Sequence, residues 1–488
     1  MCLKFFKKRL KLKWLLHISS FFLLPSSLMA QQNDIDFSNL SSVDYKKKIT
    51  LLENYTVPKK YTDKAAQTWY NEILTDRNKF LLSASKEDNI IADTLLIKKC
   101  NSILKQITDA NKKYSFDSIN LFINRSIVAN AARYGEATII INAGLFLWIN
   151  NDDELALVIE HEIAHQLLKH ADGIIEKSIA IFTSDEFKAA IKNIKKVDYG
   201  KFDRFRKLMK GITIESGKHS TYKEGEAYSL GAVLIKNAGY NAIKASNILL
   251  KLDNADELFT TDKLYNLEDF FKSTTIDLSF LQIKKTYNGL SGAHVTMNAD
   301  IDTDTIKTHP EYLKRHEIIA GKINTISINC CSTLNDNYIN YKVNSMLEIT
   351  RHLYENHSIG QCIYLCIFAL QNNYNSAIYT NFLSLCFSKL YFDDKHLQRF
   401  TAVNAAASSG TNFKELQDFL FQISSEDLEM LSAYFLNAKG ANNLEDHEFA
   451  QLIYNTQVKM KDTAIAFAAY NNRFPKNKYK YLISKKQP

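Results

Sequence analysis

Past residue 30, no stretch of this 488-residue chain approaches the run of about eighteen apolar residues that a membrane-crossing helix requires. No cysteine directly follows the apolar run near the N-terminus, which argues against a lipid anchor there. None of the seven cysteines stands in C-x-x-C spacing. Cys362 and Cys366 lie one helical turn apart and Cys330 and Cys331 are adjacent. An exported protein could oxidise such pairs, but their apolar surroundings favour small buried hydrophobes. Charge of one sign is also scarce. The whole chain is +8, and the first thirty residues carry six basic and no acidic side chains, which leaves +2 for the rest. A nucleic-acid partner is therefore not expected. Lys46–Lys48 and Lys192, Lys195 and Lys196 are flanked by apolar helix positions and read as solvated faces. Asp300, Asp302, Asp304 and Glu311 mimic a calcium loop, but Thr305 stands where its glycine is required and Pro310 intrudes.

What is present is concentrated between Asn150 and Asp172, NNDDELALVIEHEIAHQLLKHAD. Asn151 can cap a helix there, and Glu154 sits where a capping-box carboxylate reaches back. Leu155, Leu157, Val158, Ile159, Ile163, Ala164, Leu167 and Leu168 give it a wide apolar surface, and Gly173 is the expected stop. Inside lies His161-Glu162-Ile163-Ala164-His165, an H-E-x-x-H motif. Residues four apart share a helix face, so the two imidazoles can converge on one ion, and neutral histidine nitrogens suit Zn²⁺. Glu162 lies beside that vector, where it can serve as a general base. Two decoys lack the second histidine: His316-Glu317 is followed by Ala320, and His447-Glu448 by Gln451. A catalytic site needs a third ligand and an open fourth position. The best candidate is Glu224, in an early turn of a helical segment that ends at Gly239, with Glu226 on another face.

These residues resemble the zinc metallopeptidase family of the CAAX prenyl proteases, HtpX and the Oma-type proteases, and within it the soluble periplasmic BepA-type members. The resemblance covers roughly residues 60–325. It rests on the Glu-Leu-Ala start and H-E-I-A-H helix with a further histidine, His170. It includes the strand and Gly-Leu turn Ala137–Leu145, the element Ser220–Gly231, and Thr308-His309-Pro310 with Arg315. It implies one Zn²⁺ per chain held by His161, His165 and Glu224, with Glu162 catalytic. It also implies that His309 approaches the metal as a switch ligand or transition-state stabiliser. Two positions depart from the family pattern. Tyr228 replaces the aspartate that orients a ligand histidine, and Thr221 replaces an arginine. Losing such an acceptor typically costs about 10–100-fold in metal affinity or activity.

The expected fold is α+β and mostly α: a gluzincin-type metallopeptidase domain with a small sheet, then an all-α tail of tetratricopeptide-like helix hairpins. Residues 1–30 read as a signal peptide, with a basic head, an apolar run from Trp14 to Leu24 and Ala30 before the cut, or alternatively as an uncleaved anchor. Residues 31–58 form a polar segment, 59–330 the peptidase domain and 331–488 the helical domain. Two amphipathic helices are expected between Tyr61 and Lys113. Strands are expected at Ser118–Ala129 and Ala137–Asn142 around a turn at Ala131–Gly135, and helices in an insertion at Ile174–Ile214. The strand Ala137–Ile141, if at the edge, could hold an extended peptide. The tail could offer a concave surface to partners or form a bundle that merely stabilises the protease. A periplasmic or secreted endopeptidase acting on protein or peptide substrates follows, with outer-membrane assembly partners reached through the tail. The alternative is a weakly active or silent scaffold of the same fold that binds clients.

Overall fold

A computed structural model describes most of residues 57–253, 267–276, 312–323 and 337–479. The signal-peptide segment, the calcium-like loop, Cys330, Cys331 and the Thr308–Pro310 motif with His309 lie outside the described residues. The chain forms two compact units. The first takes Met1–Asp253 and Asn298–Tyr341, the second Asn254–Met297 and Lys342–Pro488. Among the described residues no helix is long and apolar enough to cross a membrane.

The first unit opens with the expected helix pair, α1 (Lys64–Lys86) and α2 (Thr94–Ala110). The strands β1 (Asn120–Asn124), β2 (Ala131–Tyr134) and β3 (Thr138–Asn142) form one sheet in the order β1-β3-β2. β1 runs parallel to β3, with Phe122 opposite Ile140, and β2 runs antiparallel to it, with Ala132 opposite Ile140. Two expectations are corrected here. Ala131–Tyr134 is a strand and not a turn, because pairing with β3 overrides the weak strand preference of its alanines. Thr138–Asn142 is the central strand, so a peptide cannot add along it. Its Thr-Ile-Ile-Ile run fits that position, since a strand covered on both sides and both faces is apolar throughout.

Past the sheet come α3 (Asp152–Leu167), α4 (His170–Thr183), α5 (Asp185–Lys196) and α6 (Lys201–Asn237). The insertion is helical, as expected, but α6 absorbs its last part. Glu224 lies well past the middle of this 37-residue helix and not in an early turn, because the glycines at 211 and 217 do not stop it. Gly173 does not stop a helix either. The break comes earlier, at Lys169, which adopts the left-handed conformation with φ 54°.

α3 and α6 pack against each other, and polar ties fix the pair. Asn151 Oδ1 accepts the Glu154 amide at 3.0 Å, while the Glu154 carboxylate accepts the Asn150 amide at 2.7 Å and Lys251 Nζ at 2.7 Å. The end of α6 is pinned to the α2 region: Asn111 Nδ2 donates to Leu234 O at 3.0 Å and Gln106 Nε2 to Ala238 O at 2.8 Å. The Asn241 amide donates to Asp153 Oδ1 at 2.9 Å, which ties the chain after α6 to the start of α3. At the crossing, Gly231 of α6 makes room for Glu160 of α3. A Cβ built on Gly231 would stand 1.8 Å from Glu160 Oε2. α7 (Tyr312–Ile323) packs on another side of α6.

In the second unit, α8 (Asn337–Glu355), which begins in the first, is followed by α9 (Ile359–Gln371), α10 (Ser376–Lys395), α11 (Thr411–Gln422), α12 (Ser425–Leu436) and α13 (Leu444–Gln457). α10 is the hub, packed by α9, α12 and α13 and buried on almost every face. Small hydroxyl residues let helices close on it: Ser388 Oγ lies 2.6 Å from Ser432 Oγ, and Ser384 Oγ donates to Ser432 O at 2.9 Å. A surrounded helix is the arrangement of a bundle. Phe271, from the short helix Leu267–Phe271, stacks on Phe419 with centroids 4.8 Å apart. The described cysteines, Cys100, Cys362, Cys366 and Cys386, are buried free thiols, in keeping with small core hydrophobes.

Gly231→Ala should therefore cost about 1–3 kcal/mol of stability in urea unfolding, the range for overpacking a tight site. The double variant with Glu160→Ala should recover part of that loss, and additive costs would show that the two positions do not compete for space.

Candidate metal centre

The motif folds as a helix because its cap is satisfied and its apolar positions are buried. Leu155, Ala156, Leu157, Ile159, Ile163 and Ala164 are all buried. That packing turns the polar edge of α3 towards α6. His161 Nε2 lies 3.1 Å from Glu224 Oε2 and 3.1 Å from His165 Nε2, and His165 Nε2 lies 3.3 Å from Glu224 Oε1. The three residues offer ligand atoms that all lie within 4.8 Å of one another. His161 and Glu224 are buried, and His165 is half-buried at the open side.

The triangle suits a particular ion. A tetrahedral zinc with bonds of about 2.0–2.1 Å separates its ligand atoms by about 3.3 Å. The histidine–histidine edge of 3.1 Å and the two edges to Glu224, 3.1 and 3.3 Å to different oxygens of its carboxylate, are close to that spacing. The donor set of two imidazoles and one carboxylate is also a known catalytic zinc set. The site fits the metal its residues imply.

Around the triangle, two contacts set the imidazoles. Tyr228, one turn after Glu224, stacks on His161 with centroids 4.2 Å apart and planes 28° apart. Its hydroxyl accepts Arg315 Nη1 from α7 at 3.4 Å, and burial pushes its pKa up, so it stands as a neutral phenol. His170 Nδ1 lies 2.9 Å from His165 Nδ1. Burial, then the charges of His165 and Lys223, hold the His170 pKa down at about 4, so its ring is neutral near pH 7. Glu162 is buried on α3, near enough to Tyr228 and Glu160 for its charge to raise both of their pKa values.

Of the residues singled out in the sequence, the structure brings together His161, His165 and Glu224, with Glu162 on the same helix. His309 lies outside the described residues. Glu226 faces another way, as expected, yet its Oε2 comes within 3.5 Å of His170 Nε2. Sequence reasoning did not find the His165–His170 contact. In an unbroken helix, residues five apart diverge by roughly 140°, and nothing in Leu168-Lys169 signals the break.

Glu160 gives a pH dependence. The carboxyl is fully buried against Gly231, and burial first, then the charge of Glu162, raise its pKa well above the ordinary carboxylate range. Between the ordinary and the raised value the folded chain keeps a proton that the unfolded chain releases, so stability falls as pH rises through that window. In chelator-treated protein, Glu160→Gln should flatten the fall of Tm from about pH 5 upwards. An unchanged slope would mean that Glu160 is ionised in the fold.

No curated protein matches the chain. Residues 98–322 match the profile of Peptidase family M48, which supports a zinc metallopeptidase for the stretch that holds the histidine–glutamate triangle.

Proposed function

We propose that the chain is a zinc-dependent endopeptidase in which His161, His165 and Glu224 hold one Zn²⁺ and Glu162 is the general base. The observation that carries this is the convergence of two imidazole nitrogens and the Glu224 carboxylate at 3.1–3.3 Å from one another, with Glu162 on the same helix as the two histidines. The metal, when bound, would polarise the scissile carbonyl and lower the pKa of the attacking water. Glu162 takes a proton from that water and returns it to the leaving amine. Burial of His161 and Glu224 keeps the donor set dry and strengthens its electrostatics. Tyr228 and His170 fix ring planes and transfer nothing.

The finer parts of this reading rest on sequence. The basic head and short apolar run support export to an envelope compartment, where protein quality control is the proposed task. The proposed role of the helical tail is to bind client proteins, misassembled outer-membrane proteins among them. The BepA-type resemblance supports that role by analogy alone. His309 remains the proposed auxiliary group. A second reading, a weakly active or silent scaffold of the same fold, is favoured by one observation. A neutral phenol stacked on His161 replaces the carboxylate that would orient it.

Zinc content and turnover of unfolded casein separate the two. The wild type should bind one zinc per chain and lose activity to a chelator. Glu162→Gln should keep the metal and lose at least about 100-fold in kcat, the usual contribution of a general base. Metal without Glu162-dependent cleavage would select the scaffold. Protein recovered from expressing cells should begin near Gln31, and an intact Met1 would remove the proposal of a cleaved signal peptide.

A further inference from the structure

The protonation pattern of the histidine row follows from its distances. His165 Nδ1 and His170 Nδ1 face each other at 2.9 Å, with ring planes at 76°. Two bare nitrogens at that separation would repel and two protonated ones would clash, so one proton lies between them. His165 Nε2 is the atom that faces His161 and Glu224. If it presents a lone pair there, the one proton of the neutral ring sits on Nδ1. His170 Nδ1 is then the acceptor, and the proton of His170 sits on Nε2, which lies 3.5 Å from Glu226 Oε2 without a hydrogen bond to it.

The backbone is shaped for this contact. α3 ends at Leu167, Lys169 turns through φ 54°, and α4 starts at His170 itself. Left-handed backbone is uncommon for a residue other than glycine. The turn swings His170 back over the α3 face from which an unbroken helix would rotate it away. Lys223 Nζ of α6 donates to His170 O at 3.1 Å and holds the turn against the ligand helix. The His170 side chain is buried, while that of Glu226 is 41% exposed.

We propose that His170 is the positioning residue for His165: it accepts the Nδ1 proton of His165 and so fixes the tautomer and ring plane that leave Nε2 bare at the metal site. This rests on the metallopeptidase reading above. It also makes this half of the site independent of Tyr228, because His161 is set by a stacked ring and His165 by a hydrogen-bonded one. Outer partners of this kind fix ligand tautomers in metal sites generally, although the acceptor is more often a carboxylate or carbonyl.

The test uses the full chain loaded with cobalt(II), a visible and paramagnetic stand-in for zinc. Cobalt affinity by competition with a chelator should fall about 10–100-fold in His170→Phe, with a change in the visible spectrum. His170→Gln, whose amide oxygen can accept the same proton, should lie closer to wild type than to His170→Phe. In the wild type, the Nδ1–H of His165 should appear as a shifted, slowly exchanging proton resonance. That measurement needs no variant, so a His170→Phe chain that fails to fold does not remove the test. Equal affinities and spectra in wild type and His170→Phe would overturn the positioning role while leaving the metal site standing. So would nitrogen-15 shifts that place the His170 proton on Nδ1. A wild type that takes up no cobalt would overturn both the metallopeptidase reading and this one.

Discussion

The structure of the first unit is governed by the approach of α3 to α6. Each helix brings part of a donor set that neither could complete alone: two imidazoles on one, a carboxylate on the other. Bringing three such groups together without water is costly unless they share a proton or an ion. The rest of the unit is arranged to sustain that approach. Gly231 leaves room for the Glu160 carboxyl at the crossing, and the ties from Asn111, Gln106 and Asn241 stop α6 from sliding. The cap at Asn151 and Glu154 fixes where α3 begins, and so the direction in which His161 points.

Glu160 shows the cost of that closeness. Its carboxyl occupies the space that Gly231 vacates, and burial keeps its proton on. A neutral acid next to His161 spares the site a third negative charge beside Glu162 and Glu224. Tyr228 acts in the same direction. A carboxylate at that position would add charge to a buried pair, whereas the neutral phenol adds a flat surface against the His161 ring and takes its hydrogen bond from Arg315. The departure at position 228 therefore exchanges an electrostatic restraint on His161 for a steric one.

How much of this was legible depended on whether the signal was local. The helix start at Asn151, the spacing of His161 and His165, and the helix pair before the sheet were all legible, because caps and apolar periods act over one or two turns. Glu224 came from a remote motif by resemblance, and the structure brings it to the two histidines. Strand order was not legible. Ala131–Tyr134 has a turn-like composition, and only its pairing with β3 makes it a strand and moves Thr138–Asn142 off the edge. One helix end was misplaced, where Gly173 was taken as a stop. Gly173 lies inside α4, where the packed helix tolerates a propensity cost of about 1 kcal/mol.

The break at Lys169 is the feature that local rules miss most completely, and its consequence is the largest. No proline or glycine marks it, and a lysine in left-handed backbone is held there against its preference of roughly 1–2 kcal/mol. Something must outweigh that cost, and the contacts made just after the turn are the candidates: His170 on His165, Lys223 on the His170 carbonyl, and α4 against α1. The last of these is ordinary packing and would tolerate a helix break one residue earlier or later. The first would not, because a shift of one residue rotates the imidazole by about 100° and takes its nitrogen out of reach of the His165 ring. The position of the break is therefore set by the donor histidine, and the strain at Lys169 is the local cost of holding His165 in one orientation.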